Sequence, residues 1–319
     1  MILTVDRVTK RYGAVEAVRG VSFTARPGRI LGLLGPNGAG KTSTIRMITY
    51  ITVPDAGQVL LDGRPVGPWS QERMGYLPEE RGLYKKLKVG EQLVYLGELK
   101  GLRRAEARRR AMTWLERFEA RSWWGRKTEE LSKGMQQKVQ FMATILHDPD
   151  LLILDEPFGG LDPLNAELLQ EVILELKEQG RTILFASHRM EQVEQLCDDI
   201  CLISNGEILL QGSLREVKQR FGRDTVLIDF VGDDAFLDRL AEEGRIRISV
   251  RSRHHAEVRL LGGTPPRDVL EAALQATSEI TRFEVVEPSM REIFVSVVSG
   301  QQADDALPDS HPAHTRAGA

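Results

Sequence analysis

Cysteine is nearly absent: the 319 residues hold two, Cys197 and Cys201. Two cysteines cannot build a disulfide framework or a cysteine-rich zinc site, so reduced, buried or half-buried thiols are expected. No stretch approaches the ~18–20 apolar residues that cross a bilayer. The start, Met1-Ile2-Leu3-Thr4-Val5-Asp6-Arg7, lacks the basic residues and long apolar run of a secretory leader. The chain is therefore expected neither to span a membrane nor to be exported by that route, and attachment through a partner stays open. Charge of one sign is not in excess either, with 43 Lys and Arg against 46 Asp and Glu. That removes the bulk electrostatic reason to bind nucleic acid, and no nucleic-acid partner is expected. No internal repeat is found. What is present is a 41% hydrophobic content, enough for one large or two smaller globular domains.

The first two thirds alternate apolar strands with helical stretches. Segments 29–34, 151–154 and 182–186 are near-continuous apolar runs, the pattern of parallel strands covered on both faces. Between them, 164–178 carries Leu168, Leu169, Val172, Ile173 and Leu176 at helical spacing. The class is α/β. Residues 2–23, rich in β-branched side chains, predict a side sheet, and 89–99 and 105–118 predict helices of a subdomain spanning about 85–145. Arg103, Arg104, Arg108, Arg109 and Arg110 read as a solvated helix face, with contact to acidic lipid or a partner as the alternative. A second unit is expected over 223–299, in the order strand 225–230, helix 234–243, strands 245–251 and 257–261, helix 266–277, strand 280–286, then a closing helix over 288–298. The order β-α-β-β-α-β is the split-βαβ, ferredoxin-like plan of a small α+β domain. The first domain is then 1–222, and 300–319, without apolar periodicity, is expected to be disordered.

Directly after the first buried strand stands Gly35-Pro36-Asn37-Gly38-Ala39-Gly40-Lys41-Thr42-Ser43, which fits G-x-x-x-x-G-K-[ST] between a strand and a helix expected from Thr42. Glycines let backbone N–H groups turn inward around phosphate oxygens, and the following helix points its positive end at the anion. Lys41 supplies a charge to the terminal phosphates, and the Thr42 hydroxyl can coordinate Mg²⁺. The motif indicates a nucleoside triphosphate and leaves open what its energy drives. The strand 151–154 ends in Asp155-Glu156, where open α/β sheets bind ligands. There Asp155 is placed to hold Mg²⁺ through water and Glu156 to polarise an attacking water.

With Leu131-Ser132-Lys133-Gly134-Met135-Gln136-Gln137 just upstream of that strand, residues 1–219 resemble the ATP-binding cassette (ABC) subunit of membrane transporters. Ser132 and Gly134 at the start of a helix expected from Met135 form a second anion site. The resemblance implies a P-loop ATPase fold with a helical subdomain and side sheet, ATP and Mg²⁺ as ligands, and a signature segment (Ser132, Gly134, Gln136) that closes over nucleotide held by another subunit. It implies Tyr12 as the adenine-stacking aromatic and His188 as the switch histidine at the γ-phosphate. Glu79 takes the position of the Q-loop glutamine, as a metal and coupling contact. Gly159-Gly160-Leu161-Asp162 resembles the loop that crosses the dimer interface. Three departures stand out: Lys133 where the family usually has glycine, Gly159 where serine is common, and Glu79, whose carboxylate adds negative charge near Asp155 and Glu156. The run 75–84 and the appended domain look most like ABC-2 exporters, including the sodium-efflux type. The implied partners are a separate polytopic membrane permease and a second ATPase subunit, identical or related. The implied location is cytoplasmic, peripheral on the membrane through the permease. For the appended domain a small-ligand sensor, a dimer brace and a stabilising cap are open, the last two being favoured. A soluble ABC ATPase acting on ribosomes or DNA, a P-loop kinase or GTPase, and a non-hydrolysing nucleotide binder are the alternative readings.

Overall fold

The computed structural model describes residues 1–80, 82–222 and 225–304. Arg81, residues 223–224 and 305–319, which include most of the tail expected to be disordered, lie outside it. The chain divides into two compact units, Met1–Leu214 and Arg215 onward.

The first unit is built on a six-stranded sheet. Strands β3 (Ile30–Leu34), β7 (Leu151–Asp155) and β8 (Thr182–Ser187) are buried along their whole length, as expected for strands with cover on both faces. With β6 (Met74–Leu77), β9 (Asp199–Ser204) and β10 (Glu207–Ser213) the order is β10-β9-β3-β8-β7-β6, parallel except for β10. The side sheet, β2 (Val15–Ala25), β1 (Leu3–Tyr12), β4 (Ala56–Leu61) and β5 (Arg64–Pro65), is antiparallel. Its inward residues Leu3, Val5, Val21 and Phe23 pack with Ile45 and Met47 of α1 (Lys41–Ile48) and with Leu31, Leu33 and Leu184 of the central sheet in one core. This sandwich fixes α1 against β3 and so fixes the loop between them.

The helical subdomain is α2 (Val89–Leu99), α3 (Arg104–Arg117) and α4 (Lys133–Ile145); α5 (Pro163–Glu178) and α6 (Met190–Leu196) follow β7 and β8. Helix α4 starts at Lys133, two residues before the expected Met135, because Ser132 is the capping residue: its Oγ accepts a hydrogen bond from the Met135 N–H at 3.3 Å. The arginine cluster on α3 is largely satisfied locally. Arg109 and Arg110 each bond Glu106 at 2.6 Å, and Arg108 lies over the Trp124 ring at 5.3 Å. Both cysteines are free and buried, as their number predicted. Among the described residues no helix is long and apolar enough to cross a membrane.

The second unit begins eight residues before the expected boundary, at helix α7 (Leu214–Arg220). Among the described residues no strand after β10 pairs with the first unit, and the Leu214 N–H to Asp198 carbonyl bond marks the exit. Strands β11 (Thr225–Gly232), β12 (Ile246–Ser252), β13 (His255–Leu260) and β14 (Thr277–Val286) form an antiparallel sheet in the order β12-β13-β11-β14. With helices α8 (Ala235–Glu242) and α9 (Pro266–Ala276) this is the ferredoxin-like plan read from the sequence. Strand β13 starts two residues earlier than expected, because Ser252 pairs with His255 across a two-residue turn. The closing helix α10 runs Met290–Asp304, past the expected end at 298 and into the segment expected to be without structure. Gln301, Gln302 and Ala303 are good helix formers and extend it without needing an apolar stripe of their own.

Candidate functional site

Parallel pairing sets the loops of the site side by side. Leu34 lies beside Ser187, and Asp155 beside Ala186, so β3, β7 and β8 end together. Their carboxyl ends open into a cleft of about 410 Å³ lined by Asn37 to Ser43, Glu79, Asp155, Glu156, His188 and Ala17. That is where open α/β sheets bind ligands. Gly35 and Pro36 stand behind the lining: their carbonyls accept hydrogen bonds from Lys41 Nζ at 2.7 and 3.1 Å. The ammonium is thereby held over the loop in advance of any phosphate. Burial pulls Lys41 below the usual lysine range, while Glu156, Asp155 and Glu79 pull it back up.

Two glycines of the loop are needed for different reasons. Gly35 has φ +150°, and a Cβ there would run into the Ile203 backbone oxygen. Gly38 has φ +81° but open space around it. Gly35→Ala is therefore expected to lower stability by about 3 kcal/mol or more and to abolish nucleotide binding, whereas Gly38→Ala loses about 1 kcal/mol. Denaturant melts of the two variants check this, and equal effects would contradict the steric account.

Asp155 is 3% exposed, and its side chain takes part in no hydrogen bond among the described residues. Burial, with Glu79 and Glu156 adding like charge and Lys41 opposing, pushes its pKa up to about 6. The negative charge that Glu79 brings in place of a neutral amide is thus felt at Asp155. A triphosphate set among these carboxylates needs a countercharge. A hard divalent ion such as Mg²⁺, ligated by oxygen, suits a buried carboxylate without a donor and the neighbouring Thr42 hydroxyl. Among the described residues no three His, Cys, Asp or Glu side chains form a metal cage. Mg²⁺ does not require one, since it keeps waters and takes substrate phosphates as ligands.

Glu156 has φ +49°, a strained value for a side-chain-bearing residue. Its Oε1 accepts the His188 N–H at 2.7 Å and faces His188 Nδ1 at 2.6 Å; its Oε2 accepts from Ser187 Oγ at 3.1 Å. The carboxylate is thus held by one backbone and two side-chain contacts from the residues that follow β8. This direct pairing, and Ser187 within it, were missed in the sequence. Register supplies them: Asp155 is level with Ala186, so the residues after each strand meet.

The signature segment forms a second cleft, of about 320 Å³, lined by Ser132, Lys133, Gly134, Lys138, Gly160 and Asp162 among others. It shares no lining residue with the first. Lys138 went unnoticed in the sequence, although i,i+4 spacing from Gly134 puts it on the same helix face. Gln136 is turned away: its amide donates to the Thr128 and Leu131 carbonyls at 3.1 and 3.0 Å, which holds the turn before α4. Tyr12 also stays outside the first cleft, 42% exposed at the end of β1, with Lys10 5.9 Å from its ring. Helix α4 is tied to both carboxylate loops. Gln137 donates to the Pro157 carbonyl at 2.9 Å, and Gln140 to the Pro78 and Glu80 carbonyls at 3.4 and 3.3 Å.

A glycine-rich phosphate loop on a parallel sheet, facing acids at the ends of neighbouring strands, defines a P-loop nucleoside triphosphatase. Comparison with known proteins narrows the class. The ABC transporter family matches residues 18–159, and the family of ATP-binding protein DrrA1-3-like C-terminal domains matches 212–298, in accord with the boundary of the second unit. The uncharacterized ABC transporter ATP-binding protein YhaQ of Bacillus subtilis is 45% identical over 93% of this chain and 98% of its own. The Nod factor export ATP-binding protein I of Ralstonia nicotianae is 39% identical over 73% of each. A solved ATP-binding subunit of an ABC transporter superposes with TM-score 0.66 at 33% identity, covering 69% of this chain and 93% of that one. The chain belongs to the ABC transporter ATP-binding proteins, a family that binds and hydrolyses ATP.

Proposed function

We propose that this chain powers a membrane exporter through a separate polytopic permease, by ATP-driven closure of two ATPase subunits. One observation carries the reading: the phosphate loop and the signature segment are two anion-binding surfaces on one compact unit with no lining residue in common. A second copy, or a related subunit, laid head to tail brings each signature segment onto the other's nucleotide. Contacts from Ser132, Gly134, Lys133 and Lys138 then exist only in the closed state, so ATP binding favours closure.

Within each closed site Lys41 meets the terminal phosphates, Glu156 takes the proton of the attacking water, and His188 faces the γ-phosphate. Asp155 and Thr42 would hold Mg²⁺, with Glu79 beside them, and the ion would offset phosphate charge. Release of phosphate removes the bridge between subunits. The bonds from α4 to the Glu79 and Pro157 loops give the signature helix a mechanical link to both. Export is supported by the relative named for Nod factor export, and the permease would hold the chain at the cytoplasmic face of the membrane. Tagged chain recovered from its native host is expected in the membrane fraction, bringing down a polytopic protein after detergent extraction. Recovery with ribosomes or DNA instead would overturn the reading.

A further inference from the structure

The sheet of the second unit has two unlike faces. Val226, Ile228 and Phe230 of β11 and Ala256, Val258 and Leu260 of β13 form a core with Phe236 and Leu240 of α8 and Val269 of α9. Alternation along the strands sends Thr225, Arg247, Ser249 and Arg259 to the opposite face. Register then lines up a row: Arg247 is opposite Arg259, and Arg259 is opposite Thr225. Two guanidinium groups placed directly across antiparallel strands repel each other.

Four other arginines of this unit are neutralised. Arg251 pairs with Asp234 at 2.9 Å and Asp238 at 2.6 Å, Arg245 pairs with Asp268, Arg267 with Glu271 at 2.5 Å, and Arg282 with Glu284. Arg247 and Arg259 have no ion pair among the described residues, nor does Arg291 in the first turn of α10. These three unpaired cations line one cleft of about 500 Å³, together with Phe221, Ile293 and Val295. Glu292 also lines it, but its carboxylate is engaged as the cap of α10, accepting from the Ser289 N–H at 2.7 Å and Ser289 Oγ at 2.8 Å. The cleft therefore carries three cations against one carboxylate, a net positive side, and an apolar side, at the size of a small-molecule pocket.

We propose that this cleft binds a small amphiphilic anion. The guanidinium groups of Arg247, Arg259 and Arg291 hold its phosphate or carboxylate head, and Phe221, Ile293 and Val295 receive its apolar body. Guanidinium forks match both head groups bidentately. An anion between Arg247 and Arg259 converts a repulsive pair into an attractive triad. The inference is independent of the proposed export function and of the nucleotide cleft, which lies in the other unit.

The test is calorimetric titration of the full chain, with saturating ADP and Mg²⁺ filling the phosphate loop. Octyl phosphate and octanoate, kept below micelle formation, are the two anionic probes and report which head is preferred. Inorganic phosphate and octyltrimethylammonium are the controls. At least one anionic amphiphile is expected to bind once per chain, at least about tenfold more tightly than inorganic phosphate, with no binding of the cationic amphiphile. Arg291→Gln, on α10, and the double variant Arg247→Gln/Arg259→Gln, on the sheet, are each expected to weaken binding at least about tenfold. ADP affinity is expected to be unchanged, and the melting temperature of the double variant unchanged or raised, since a like-charge pair is removed. Absence of anion binding, affinity unchanged in both variants, or inorganic phosphate binding as tightly as the amphiphiles would overturn the proposal. So would binding to phosphatidylglycerol vesicles without binding of the monomeric probes, which would mark a membrane-facing surface instead.

Discussion

Glu156→Gln is expected to keep ATP and to lose at least about 100-fold of the hydrolysis rate. The substitution preserves shape and leaves an amide oxygen to accept from the His188 N–H, so the loop with its strained φ of +49° can stay as it is. What disappears is the capacity to accept a proton from water. If hydrolysis alone reopens the dimer, the variant also accumulates as an ATP-dependent dimer. Phosphate release, nucleotide retention on filters and size-exclusion chromatography with and without ATP read the three effects. Near-normal phosphate release would remove Glu156 from the chemistry.

The second large effect is one of complementation. Lys41→Ala empties the phosphate loop of its charge, and Ser132→Arg fills the signature cleft with a long cation where a short hydroxyl stood. Loss of the Ser132 cap costs about 1 kcal/mol, too little to unfold the unit. Each purified variant alone is expected to be at background. Mixed in equal amounts before ATP is added, half of the dimers contain one of each. In such a dimer one composite site carries both defects and the other carries neither, so the mixture is expected to regain up to about a quarter of the unmutated activity. This holds if the chain pairs with itself and the sites act independently. A mixture as inactive as its parents, with heterodimers demonstrated by differential tagging, would refute sites shared between subunits.

Much of this site was legible in the order of residues. The phosphate loop, the Asp155-Glu156 pair and His188 each follow an apolar run, and parallel strands end at one edge of their sheet. Chemistry that follows strands in the sequence therefore meets in space. The six-element pattern of the second unit was legible for a related reason: alternation and helical spacing are one-dimensional records of which face is buried. Less visible were interactions that depend on where side chains are spent. Gln136 stands in the signature segment but is consumed by the Thr128 and Leu131 carbonyls. Tyr12 is aromatic and well placed along the chain, yet sits outside the lining of the cleft. The end of the first unit was set by the last ladder of β10 on β9, a pairing that composition does not reveal.

The sequence by itself determined the fold class, the phosphate-binding loop, the acid pair and the presence of two anion-reading segments, because each depends on local residue type and spacing. Only the tertiary structure decided that those two segments belong to clefts with no common wall, that the Glu156 carboxylate lies against the His188 ring, and that Arg247, Arg259 and Arg291 line one cleft with a single carboxylate, Glu292, among them. The reason is physical: strand register and helix packing bring together residues far apart in the chain, and electrostatic interactions depend on those distances rather than on order along the backbone.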